Sequence, residues 1–338
     1  MERRGIVGAG NWIIDKVKNI DRWPGEGNLC NILNQVQSTG GGPANVLFDL
    51  AVMDKNLPLY AAGAIGNDKE GDFVMSEIAR HGVDSSFMKR IATRDTSFTD
   101  VMSGEGKRTF FHCRGANSEL DCSMLADIDV PAKFFYLGYL LLLDKLDASD
   151  PDYGTVAARL LDQMSRKGYR TIVDFVSEAP EKFRKIVFPA LPFIDILIVN
   201  EIEASACSSL ELRRADGSLN VENLPKALDF MFEHGVRETA VIHFPEGAAG
   251  RHKNGEFVCA SSCRVEKSEI VGSTGAGDAF CAGMIYALHE NFPMEKALRF
   301  GCVSSRFNLL SATASDGAVP LAQMLDFMEK CSWNPALR

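Results

Sequence analysis

What most limits the fold of this chain is an alternation repeated along its length. Residues 6–7, 59–65, 171–173, 194–199 and 239–244 are short apolar runs, partly β-branched, without the polar alternation of a one-sided sheet. Such runs predict strands covered on both faces. Helical stripes lie between them. Leu47, Leu50 and Ala51 share a face, and Ala157, Leu160, Leu161 and Met164 recur at helical spacing before Gly168. Ala227, Leu228, Met231 and Phe232 do so before Gly235, and Phe280, Gly283, Met284, Ala287 and Leu288 before Pro293. Helix, glycine stop, strand is the rhythm of a parallel α/β sheet. No linker and no internal repeat divides the chain, so one domain over residues 1–338 is expected.

Two stretches, about 16–39 and 96–113, break the rhythm. The first is long and polar. The second alternates around Ser103-Gly104-Glu105-Gly106, a hairpin-turn sequence. Both read as strands of a small sheet outside the main one, serving either as a lid over a cleft or as plain surface hairpins.

Charge narrows the partners. With 36 Lys+Arg against 45 Asp+Glu the net charge is −9, which argues against general binding to nucleic acid or an anionic membrane. The longest strongly apolar run, 134–143, is too short to cross a bilayer as a helix. Nine cysteines, an odd count without a C-x-x-C pair, read as reduced thiols of a cytoplasmic protein, and no signal-peptide pattern opens the chain. The six histidines have no metal-ligand spacing. Gly8-Ala9-Gly10 lacks the third glycine of a dinucleotide fingerprint, and no P-loop, H-E-x-x-H or G-x-S-x-G pattern occurs.

The stretch that carries chemistry is Gly272-Ser273-Thr274-Gly275-Ala276-Gly277-Asp278, a glycine-rich turn running into an amphipathic helix. Unpaired N–H groups and a partial positive charge at a helix start attract a phosphate, and small residues let it approach. Asp278 in the first turn is either a helix-stabilising acid or a general base beside the phosphate. A second turn, Gly40-Gly41-Gly42-Pro43-Ala44-Asn45, also opens a helix. It is a tight strand-to-helix turn, or a place where exposed backbone and the Asn45 amide meet a polyol.

Together, Gly40-Gly41-x-x-x-Asn45 and Thr274-Gly275-Ala276-Gly277-Asp278-Ala279-Phe280 resemble the two signatures of the ribokinase-like sugar kinases, the PfkB family. Gly10 to Asp15, Gly66-Asn67-Asp68, Gly71, Gly82-Val83-Asp84, Gly115-Ala116-Asn117 and Asn200-Glu201-Ile202-Glu203 follow in the family's order. The resemblance implies a three-layer α/β/α domain with a mainly parallel central sheet and a small β-sheet lid. It also implies transfer of the γ-phosphoryl group of ATP to a hydroxymethyl group. Asp278 would be the catalytic base, with Gly275, Ala276 and Gly277 as its anion hole. Thr274, Gly275 and Gly277 would meet the nucleotide phosphates, and Asn200 and Glu203 would order Mg²⁺ through water. For those two a helix capping box is the plainer alternative. Asp15, Gly41 and Asn45 would bind acceptor hydroxyls, with Asn117 facing the cleft. Residues 308–319 would wall the base pocket, and two lids would pair in a homodimer.

The chain departs from the family at three places. Gly272 stands where an Asp usually opens the signature, which makes K⁺ activation doubtful. Val176 replaces the Asn of a D-x-N, and Leu140 stands where ribokinases carry Glu. Two further readings stay open. One is a nucleoside kinase of the same fold, with Trp12, Phe98 and Phe110 as base walls. The other is a non-catalytic sugar-binding regulator. Arg108, His112 and Arg114 lie on or beside the second irregular stretch, where solvent exposure is the plainer reading and phosphate contact the other.

Overall fold

The computed structural model describes residues 3–105 and 107–337. Its strands are β1 (Ile6–Gly10), β2 (Ile13–Ile20), β3 (Ile32–Gly40), β4 (Leu59–Gly66), β5 (Asp84–Ile91), β6 (Phe98–Gly104), β7 (Lys107–Cys113), β8 (Phe134–Leu140), β9 (Ser149–Asp150), β10 (Gly154–Thr155), β11 (Arg170–Phe175), β12 (Ile196–Asn200), β13 (Thr239–Phe244), β14 (Gly247–His252) and β15 (Val258–Ser261). Nine of them form the main sheet in the order β15-β14-β13-β12-β11-β8-β1-β4-β5. From β13 to β5 every pairing is parallel; β14 and β15 extend the sheet antiparallel. The expected strands are all present, with the fourth starting at Ile196 rather than 194.

Residues of period two divide the core. Val7, Ala9, Phe135, Leu137, Val173, Leu197 and Val199 face one apolar layer with the helices Val156–Arg166 and Leu224–Glu233. Ile6, Phe134, Tyr136, Ile172, Ile196 and Ile198 face the other, with the helices Gly42–Met53, Ala276–His289 and Met294–Asn308. This is the three-layer α/β/α arrangement: strands buried on both sides read as unbroken apolar runs because neither face meets water.

A separate four-stranded sheet has the order β3-β2-β6-β7. Its first segment begins at Ile13, three residues before the expected 16, because β1 passes through Asn11 and Trp12 straight into β2. Trp12 fixes that crossing. It is fully buried and donates its indole N–H to the Ala62 carbonyl at 2.9 Å. The β6–β7 hairpin pairs Gly104 with Lys107, as the turn sequence predicts; Gly106 lies outside the described residues.

Candidate active site

Ligands of open α/β sheets gather beyond the carboxyl ends of the strands. Here those ends are Tyr139 on β8, Asp174 on β11, Asn200 on β12 and His243 on β13, and all four line a cleft of about 940 Å³. The small sheet forms its opposite wall.

Asp278 sits in the first turn of the helix Ala276–His289 and is 8% exposed. The helix is capped by Gly275 at φ 78°, where a Cβ would lie 2.4 Å from the Ala314 carbonyl oxygen; only glycine fits that left-handed position. Asn45 donates to Asp278 Oδ2 at 2.7 Å and the Tyr139 hydroxyl donates to Oδ1 at 2.6 Å. Burial raises the pKa of Asp278, and these two donors oppose the rise by favouring the carboxylate. Burial and the neighbouring Asp278 hold the Tyr139 phenol well above its ordinary value, so it stays a donor. Gly42 admits that phenol: a Cβ there would stand 2.9 Å from the Tyr139 ring.

The small-sheet side of the cleft starts at Asp15 on β2. Burial and the charge of Asp278 push its carboxyl up to about 7. The glycine run explains itself around it. A Cβ at Gly40 would lie 2.1 Å from Asp15 Oδ2, and one at Gly41, φ 89°, would lie 1.8 Å from the Asn11 carbonyl oxygen. Asp15, Gly41 and Asn45 line one cleft with Asp278, together with Ile13, Thr99, Ser103 and Phe110. Asn117 is elsewhere. It is fully buried, donates to the Trp12 carbonyl at 2.9 Å and to Asn11, and does not line the cleft. Trp12 is likewise in the core, so of the three aromatics suggested as base walls only Phe110 lines the cleft.

At the glycine-rich helix start, Thr274, Gly275 and Gly277 line the cleft, but Ala276 does not. Its N–H donates to the Ser273 carbonyl at 3.3 Å, and it lines a neighbouring cavity instead. Asn200 and Glu203 form the capping box and line the cleft as well: Asn200 Oδ1 accepts from the Ile202 and Glu203 N–H groups, and Glu203 Oε2 accepts from the Asn200 N–H at 2.9 Å. Burial pushes Glu203 up to about 7. Asp174 is the acid that sequence reasoning passed over. It is buried, accepts one hydrogen bond, from the Phe175 N–H at 2.7 Å, and is raised well above its usual range by burial, Glu203 and Asp278. It is the Asp of the D-x-N broken at Val176, so its spacing signal was incomplete. Tyr139 was hidden inside an apolar run. His243 also enters the cleft, stacked on Phe280 and held neutral by burial at about 4.

The second cavity, about 520 Å³, shares Asn200, His243, Ile270, Ser273 and Gly277 with the cleft. Phe244, Pro245, Phe280, Arg306 and Leu309 add to its wall. Of the expected 308–319 wall only Leu309 contributes; the helix Met294–Asn308 supplies Cys302, Ser305 and Arg306 in its place.

Asp278 thus stands at a helix N-terminus in one cleft with Asp15, Gly41 and Asn45, beside a second cavity whose wall is largely apolar. The sequence pattern of the pfkB family of carbohydrate kinases matches residues 7–320, and the chain belongs to that family. It is 22% identical to a 5-dehydro-2-deoxygluconokinase of Geobacillus kaustophilus over 86% of this chain and 84% of that one. It is 23% identical to an adenosine kinase of Schizophyllum commune over 78% of this chain and 76% of that one. Arabidopsis thaliana ribokinase, solved with ribose and ATP, superposes with a TM-score of 0.76 at 20% identity, covering 97% of this chain and 99% of that one. The chain is thus a sugar or nucleoside kinase of the ribokinase fold.

Proposed function

We propose that this kinase transfers the γ-phosphoryl group of ATP to a hydroxymethyl group of a monosaccharide or sugar-like acceptor, with Asp278 as general base. The observation that carries this is the convergence of Asp15, Gly41 and Asn45 with Asp278 in one cleft. Asp15 and Asn45 offer acceptors and a donor to a polyol, and Asp278 takes the proton of the attacking hydroxyl. Trp12 is pinned in the core and offers the cleft no stacking face, which supports a sugar. A nucleoside acceptor is favoured by one feature, Phe110, which is 60% exposed at the rim and presents a stacking face.

The base of ATP fits the second cavity, whose wall is largely apolar. Mg²⁺ is a hard cation that takes oxygen ligands and keeps its waters. Asp174 suits it, being a buried carboxylate with a single donor, and the oxygens of Glu203 and Asn200 in the same cleft would hold the ion's waters through their remaining acceptor capacity. Bound there, the ion would neutralise phosphate charge; orienting the acceptor and removing its proton fall to Asp15, Asn45 and Asp278. The free cysteines among the described residues suit the reducing cytoplasm.

Release of ADP over a panel of sugars and nucleosides, with Mg²⁺ and ATP present, tests the reading. One acceptor class should turn over. Asp278→Asn should lower kcat by about 10³-fold or more and leave nucleotide binding intact. No turnover on any acceptor, or an active Asp278→Asn variant, would overturn it.

A further inference from the structure

Acids surround the proposed base. Asp15 on β2, Asp49 on the helix Gly42–Met53, Asp174 on β11, Tyr136 on β8 and Cys281 on the base's own helix are each pushed up in part by the charge of Asp278. His243 on β13 is held neutral, and Glu203 and Arg108 complete the charged groups lining the cleft. Among the described residues no cation sustains Asp278: burial opposes its charge, and the Tyr139 phenol and the Asn45 amide support it. Each donor takes one oxygen. Asn45 reaches Oδ2 from the helix Gly42–Met53, and Tyr139 reaches Oδ1 at 2.6 Å from β8. Donors from two elements stop the carboxylate from turning and leave each oxygen a lone pair. The chain builds the seat for the phenol. A Cβ at Gly42 would stand 2.5 Å from the Tyr136 hydroxyl oxygen as well as against the Tyr139 ring, so only glycine lets both tyrosines in.

We propose that Tyr139 is a positioning residue for the base: its hydroxyl, acting with Asn45, fixes the plane of the Asp278 carboxylate and holds it ready to take the acceptor's proton. The inference rests on the kinase reading above. A buried carboxyl left to itself keeps a proton, and a protonated Asp278 cannot remove one from an attacking hydroxyl. A neutral donor suits this place better than a cation would. An ammonium or guanidinium would bind the carboxylate so tightly that its basicity is lost, whereas a phenol favours the charged form by less. Through the transfer the acceptor proton moves to Asp278 and Tyr139 keeps its own, because burial and Asp278 hold the phenol well above its ordinary value.

Tyr139→Phe removes the hydroxyl and keeps the ring, and two measurements on it test this. The first is urea unfolding at pH 8 of the parent, Tyr139→Phe, Asp278→Asn and the double variant. Tyr139→Phe should raise the unfolding constant about tenfold in the parent and about threefold or less in the Asp278→Asn background, since a hydroxyl gains more from a carboxylate than from an amide. The second is kcat against pH with acceptor and ATP saturating. Loss of a donor that favours the charged form lets Asp278 keep its proton to higher pH, so the midpoint of the acid limb should rise by about one pH unit while the KM for ATP holds. Asp15 and Glu203, each pushed up to about 7, titrate in the same range. A fluorinated tyrosine at position 139, a stronger donor, separates them by moving the limb down. An acid limb unmoved in Tyr139→Phe, a fluorinated residue that moves it up, or an unfolding constant raised equally in both backgrounds overturns the proposal. If the parent turns over no acceptor, the kinase reading fails, and the unfolding cycle still decides whether Tyr139 holds Asp278.

Discussion

Asp15 illustrates how one residue sets function against stability. Its carboxyl, raised to about 7, keeps in the folded state a proton that the unfolded chain releases near pH 4. Between those values the native state binds more protons, so stability falls as pH rises through the window and remains lower above it. Asp15→Asn removes that cost. Thermal unfolding should show a gain of about 1–2 kcal/mol at pH 8 and none below pH 4. The kcat/KM for the acceptor should fall by about tenfold or more, since hydrogen bonds to a charged group are lost. A melting temperature unchanged at pH 8 would mean that the carboxylate is fully hydrated. Individual side chains were the least legible part of the site. Asp278, Asn45 and Asp15 were found through motif spacing. Asp174, Tyr139 and His243 were not, because a polar group closing an apolar strand looks like any strand end until its neighbours are assembled. Asn117 had the right spacing and the wrong surroundings: its amide serves Asn11 and Trp12.

At the scale of elements, the turns do the positioning. Gly40, Gly41 and Gly42 give their missing Cβ volumes to the Asp15 carboxylate, the Asn11 carbonyl and the Tyr139 ring in turn. The run thus carries the acceptor acid, the chain crossing and the donor to the base at once. Gly41→Ala should cost about 2 kcal/mol or more, from left-handed strain plus the clash, and should raise the acceptor KM more than the ATP KM. Urea unfolding with two-substrate kinetics checks both; an alanine variant of parental stability would show that the turn can relax. Strands and helices of the parallel core were legible because burial on both faces leaves a strong apolar signal. The antiparallel strands β14 and β15 were not, since Gly247–His252 has small residues and no alternation. The helices Met294–Asn308 and Leu321–Lys330 follow Pro293 and Pro320 at their N-caps; Pro293 reads from sequence as the end of the preceding stripe and also opens the next helix.

At the scale of the molecule, the small sheet exposes a surface that wants covering. Val36 pairs with Val17, Val17 with Val101 and Val101 with Phe110, so one apolar row crosses all four strands on the face shared with the cleft. Its outer members, Val36 and Phe110, are 48% and 60% exposed, and Ile32, three pairs further along the edge strand β3 and past a bulge, is 52% exposed. We propose that a second copy covers this row, joining two small sheets in a homodimer. Sedimentation should give a dimer at micromolar concentration, and Val36→Asp should shift it to monomer with the circular dichroism unchanged. A parent that sediments as a monomer would refute the dimer.

The connection through Gly10, Asn11 and Trp12 also means that no single rigid body owns the reaction centre. Asp15, Thr99 and Arg108 belong to the small sheet; Asp174 belongs to the large sheet, and Asp278 and the glycine-rich turn before it to a helix packed on it. Water is itself a hydroxyl nucleophile, and a kinase whose base stood permanently opposite the phosphoryl group would squander ATP between acceptors. On the proposed function, dividing the centre between the small sheet and the main body would make full assembly depend on an acceptor that touches both, and so would spare ATP from hydrolysis between acceptors.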